Sequence, residues 1–205
     1  GTTNLRFRDN DSGKISYISP RFAGVQLGVS FIPQFEGGGD NNDSRKLNQG
    51  NSNNINDGWA GGVNWTEDFN GFGVQTSFGV LWGNNGADSV TGNDDDLFAW
   101  SGGAQFSYAG FSFGGAYTKG DGGGGRSTTA NGSWRSNSTA WTVGAAYEVG
   151  PYTVGIDYLK GQGNPFGNGG KDHMDQGIIS GSYQLGPGIR LVGGVFAFDA
   201  ENYDN

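Results

Sequence analysis

Apolar and polar residues alternate with a period of two along most of the chain, most plainly in Ser138–Gly163, STAWTVGAAYEVGPYTVGIDYLKGQG. Thr139, Trp141, Val143, Ala145, Tyr147 and Val149 share one parity, while Ala140, Thr142, Gly144, Ala146 and Glu148 hold the other. After a Gly150-Pro151 turn, Tyr152, Val154, Ile156 and Tyr158 alternate with Thr153, Gly155, Asp157 and Leu159. Successive strand side chains point to opposite faces, so this stretch predicts a β-hairpin with one apolar face and one small or polar face.

The unit recurs. Lys14–Ser19 and Val25–Ile32 flank a turn at Pro20–Gly24, and Gly58–Asp68 and Phe72–Trp82 flank Asn70-Gly71, a strong hairpin signal. Phe98–Tyr108 and Phe111–Tyr117 flank Ala109-Gly110; Ile179–Leu185 and Ile189–Val195 flank Gly186–Gly188. Between the hairpins, Gln34–Asn56, Gly83–Asp96, Gly120–Asn137 and Asn164–Asp175 predict long loops rich in Gly, Asn and Asp. The 205 residues thus read as one domain: five hairpins over residues 14–198, with loop at 1–13 and a further loop beginning at 199–205. Short turns and long loops strictly alternate, which puts every short turn at one end of the strands. About ten residues at ~3.3 Å each, tilted by about 40°, span roughly the 25 Å apolar band of a membrane barrel. The expected fold class is all-β: an antiparallel transmembrane β-barrel of which ten up-and-down strands are visible.

Composition sharpens this reading. Only 34% of residues are apolar, 42 are glycine, and mean hydropathy is −0.52, a poor basis for a soluble core. A barrel needs only an outer apolar band around a polar lumen. The 14% aromatic content argues against disorder. A net charge of −8 argues against nucleic acid as a partner, and the lack of cysteine excludes disulfides, thiol nucleophiles and zinc–cysteine sites. No run of eighteen apolar residues is present to form a membrane-spanning helix.

Charges and aromatics test the apolar face. Glu148, Asp157 and Arg190 have the opposite parity, while Glu67, Lys119 and Lys160 share it only at strand ends. Phe72, Tyr108, Phe111, Tyr147, Tyr152 and Tyr183 fall beside the short turns, and Phe31, Trp59, Trp82, Phe98, Trp141 and Tyr158 beside the long loops. Two such girdles suit the two membrane interfaces. A soluble glycan-binding β-sandwich is the bland rival, and it gives no reason for aromatics at both strand ends.

At Lys14–Phe31, KISYISPRFAGVQLGVSF, the chain resembles the Gram-negative general porins, and residues 183–198, YQLGPGIRLVGGVFAF, resemble the late hairpin before a porin's final strand. The resemblance implies a sixteen-stranded barrel, a homotrimer of the bacterial outer membrane in contact with its lipid and lipopolysaccharide. Its implied activity is passive diffusion of small hydrophilic solutes and ions, with no reaction and no cofactor. On that plan the chain is an incomplete, C-terminal portion, and residues 1–13 are the end of the constriction loop. Arg6 and Arg8 then lie on that loop's returning limb, and Lys14, Gln26, Gln75, Gln105, Glu148, Asp157, Gln184 and Arg190 have lumen parity.

Other chemistry is thinner. Asp40, Asp43, Asp94, Asp95 and Asp96 are carboxylates that could hold Ca²⁺, but they lack a calcium-loop spacing and read as solvated loop acids. His173, the sole histidine, stands between Asp172 and Asp175 without a serine in a nucleophile context. The alternative to a porin is a complete ten-stranded outer-membrane barrel, acting as adhesin or as a hydrolase with a loop site.

Overall fold

The computed structural model describes residues 13–34, 55–85, 96–121, 138–163 and 172–201. They form one ten-stranded antiparallel sheet in sequence order: β1 (Ile15–Ile18), β2 (Val25–Gln34), β3 (Ile55–Phe69), β4 (Phe72–Asn85), β5 (Leu97–Tyr108), β6 (Phe111–Asp121), β7 (Ser138–Val149), β8 (Tyr152–Gly163), β9 (Asp172–Gly186) and β10 (Ile189–Glu201). Each strand pairs with the next, and β1 and β10 stand at the two ends of this order.

Turn chemistry fixes the register. Ala23-Gly24, Asn70-Gly71 and Ala109-Gly110 have positive φ at both residues, the mirror-image turn whose twist matches that of the flanking strands. Gly150 alone is positive in the Gly150-Pro151 turn, and Gly188 alone in Pro187-Gly188. The Pro187-Gly188 turn is followed by a register shift between Ile189 and Arg190. Each of three turns is also tied to the next hairpin: Thr66 N–H donates to Gly24 O (3.0 Å), Glu148 N–H to Gly110 O (2.8 Å) and Gln184 N–H to Pro151 O (2.8 Å).

Ala109 is the weak point of its turn, because an L side chain at φ 49° crowds its own backbone. Ala109→Gly should raise stability by about 0.5–1 kcal/mol, net of the entropy glycine adds to the unfolded chain. Urea unfolding of the barrel refolded into lipid vesicles, read by heat-modifiable gel mobility, measures this. An unchanged midpoint would refute the strain.

The strands run longer than the alternation suggests at their loop ends. Asp172–Asp175 belongs to β9, where a loop was expected, and His173 pairs with Gln162 and Glu201. Asp199 to Glu201 likewise extends β10 rather than opening a loop. The ladder is made by backbone groups, so it continues through polar side chains once the strands are aligned. His173 therefore sits within a strand, not in a loop site.

The apolar core is small. Ile32, fully buried, packs with Leu81 and Ala99, flanked by Ala60 and Leu97, near the ends of β2 to β5 remote from the short turns. These residues have the parity of the polar set, so the cluster lies on the polar face.

Candidate functional site: a two-faced wall

The register assigns every side chain to one of two faces. One carries the apolar parity. At its short-turn edge Phe69, Phe72, Tyr108, Phe111 and Tyr147 are successive Cα partners, and Tyr152 partners Tyr183. Ring centroids are 4.2 Å apart for Phe111 and Tyr147 and 4.8 Å for Tyr152 and Tyr183. Toward the opposite edge Phe31, Trp59, Trp82 and Phe98 form a second row, with Phe31 and Trp59 rings 4.9 Å apart. Trp100–Tyr117 (5.2 Å) and Trp141–Tyr158 (5.3 Å) continue that band across β5 to β8. Beyond it, Lys160 Nζ lies 3.3 Å from Asp175 Oδ1, which also accepts from the Tyr158 hydroxyl. Trp59, Ile156, Ile179 and most of the face are exposed, so that the outer surface of these large apolar side chains is left uncovered by the described residues.

The other face, apart from the cluster of Ile32, Leu81 and Ala99, is mostly small and polar, and it lines an open cavity of about 660 Å³. Two rows line it. In one, Thr66, Gln75, Gln105, Gly114, Gly144 and Asp157 are successive Cα partners; in the next, Asn64, Ser77, Gly103, Ala116 and Thr142 are. Gln75 and Gln105 stand directly opposite each other. The Asp157 carboxylate leans over Gly144 and fills the space where a β-carbon there would lie. A larger residue at 144 would push it aside.

Of the residues singled out in the sequence, Gln26 lies near the short-turn end and donates to Ser19 O (3.1 Å). Gln184 Nε2 donates to Gly186 O (2.6 Å), and its Oε1 accepts from Arg190 Nε (3.1 Å). Those bonds hold Gln184 and Arg190 at the last short turn, away from the cavity. Glu148 is exposed beside its own turn, and Lys14 precedes β1. Arg6, Arg8, Asp40, Asp43, Asp94 and Asp95 lie outside the described residues; Asp96 is exposed just before β5.

The sequence reading missed Arg21. Its guanidinium donates to Gly24 O, to Gln26 Oε1 (3.2 Å) and to Asn64 Oδ1, and it lines the cavity with Asp157. Asn64 is distant in sequence, so only the β2–β3 pairing reveals this anchor. The cavity thus holds a fixed cation at one side and a carboxylate at the other.

Comparison with known proteins came to one answer. The family model for Gram-negative porins matches residues 1–203. Among solved structures, OccAB4 of Acinetobacter baumannii superposes with a TM-score of 0.64 at 12% identity, over 92% of this chain and 48% of that one. An anion-selective porin from Comamonas acidovorans gives 0.64 at 17% over 93% and 50%, and OpdL of Pseudomonas aeruginosa 0.64 at 13% over 92% and 54%. The chain spans about half the length of these structures, and at such identities the likeness is one of fold. No curated protein matches it.

Proposed function

Because the chain belongs to the Gram-negative porin family, we propose that it forms part of the wall of a water-filled outer-membrane channel through which small hydrophilic solutes and ions diffuse. The observation that carries this is the sorting of side chains. One face is apolar and edged by two aromatic rows, as a lipid-facing band requires; the other is lined by Asn, Gln, Ser, Thr and Gly around a cavity. Water can hydrate the second face and lipid can solvate the first. The reverse assignment would bury amides in hydrocarbon without partners, at several kcal/mol each.

On this reading the pore-lining residues of the described wall are Gln75, Gln105 and Asp157, joined by Arg21 and Asn64. The aromatic rows anchor the two interfaces. Following the resemblance to the sixteen-stranded porins, the ten strands belong to a larger closed wall, in which no strand edge is left with its backbone groups unpaired in hydrocarbon. Assembly as a homotrimer and contact with lipopolysaccharide belong to the same proposal. The protein is a passive channel rather than an enzyme: size and charge in the lumen select what passes.

Planar-bilayer recording of the purified native protein tests the proposal. Ohmic steps that appear in groups of three are expected. A protein that inserts but carries no KCl current would refute the channel.

A further inference from the structure

The polar face changes character at its β10 side. Following the cavity row past Asp157, the next Cα partners are Ile178 on β9 and Phe196 on β10. In the adjacent row Leu159, Gln176 and Phe198 are partners. Phe196 and Phe198 are exposed, like all of β10, and they are large rings on a face that, apart from the cluster of Ile32, Leu81 and Ala99 at β2 to β5, bears mostly amides, hydroxyls and glycine. The row on the other side, Ala146, Gly155, Ser180 and Gly194, carries only small side chains. The apolar strip thus begins at Ile178, the β9 neighbour of Asp157. Phe196 lies two strand spacings, about 10 Å, from the Asp157 backbone, while the carboxylate itself is turned toward Gly144 and the cavity.

We propose that this strip and Asp157 together form a binding site inside the channel for solutes that carry a cationic head on an apolar body. Charge complementarity selects the head: Asp157, next to the strip, is the carboxylate on the cavity wall, whereas the cation there, Arg21, stands at the far side, held by Gly24, Gln26 and Asn64. The apolar body then covers ring surface that water would otherwise wet. A site of this kind slows such a solute in transit and concentrates it at the wall. The inference rests on the channel reading, since a solute reaches this face only through a lumen.

The test is block of KCl current through the native protein by three probes: tetramethylammonium, hexyltrimethylammonium and hexanesulfonate. The first has the charge alone, the second the charge and an apolar body, and the third that body with the opposite charge. Hexyltrimethylammonium is expected to block at about tenfold lower concentration than either of the others. Phe196→Ser and Phe198→Ser should bring it down to the level of tetramethylammonium with KCl conductance unchanged. Asp157→Asn should weaken both cations together. Equal block by all three probes in the wild-type protein overturns the site without recourse to any variant. So does an undiminished preference in conducting phenylalanine variants, which would mean that the protein itself covers the strip. Absence of KCl current would overturn the channel reading and this inference with it.

Discussion

Ile179→Arg is expected to lower folding stability in a bilayer by about 2–4 kcal/mol, whereas Ser180→Arg, one residue further on, should change it by no more than about 0.5 kcal/mol. Ile179 lies in the row Ala145, Ile156, Ile179 and Val195 on the apolar face. Along β9 it is midway between Tyr183 in the short-turn aromatic row and Asp175 at the polar edge. At that depth a guanidinium can reach neither interface without dragging water or headgroups inward. Ser180 points to the opposite face, where Gly155 and Gly194 flank it and water solvates an arginine. A third variant, Tyr183→Arg, should cost only about 0–1 kcal/mol, since the penalty falls toward the interface. Urea unfolding in vesicles reads all three. Equal losses at 179 and 180 would contradict the two-faced wall, and a loss at 183 matching that at 179 would remove the membrane band.

The strands and turns were legible because a barrel wall has no other code. Each strand alternates between two solvents, so Phe111, Phe113, Gly115 and Tyr117 announce both a strand and its face. Where side chains are polar on both parities the signal stops, although the ladder does not. That is why Ile55 and Asn56, and Asp172 to Asp175, read as loop in the sequence. The apolar cluster of Ile32, Leu81 and Ala99 escaped notice for a different reason. Its members come from three strands, and only their register brings them together. In β10 the run Leu191-Val192 and Val195-Phe196 breaks the alternation, and the break itself is the trace of an apolar strip on the polar face. The site was harder to read than the wall. Gln75, Gln105 and Asp157 follow from parity, but parity gives no height, so it does not separate them from Gln184 and Arg190 at a turn.

Arg21→Glu should raise the local cation concentration in the passage by about tenfold and so move the channel's ion selectivity toward cations. A unit charge at ~6 Å from an ion in water-like surroundings changes its energy by about 0.7 kcal/mol, or roughly threefold in local concentration, and charge reversal applies this twice. The field reaches across the passage, because screening at 0.1 M salt takes about 10 Å. The guanidinium is well placed to act: three acceptors hold it over the cavity, on the side opposite Asp157. Loss of those bonds loosens the first hairpin turn but leaves the ladders of β2 and β3 in place. Arg21→Gln should shift selectivity about half as far on the energy scale, since it removes one charge and keeps a donor for Asn64. Asp157→Asn should lower the local cation concentration by about threefold and shift selectivity the other way. The reversal potential under a tenfold KCl gradient measures all three variants. The predicted order from most to least cation-selective is Arg21→Glu, Arg21→Gln, wild type, Asp157→Asn. A reversal potential indifferent to residue 21 would put its guanidinium outside the ion path, and the cavity between it and Asp157 would then not be the passage.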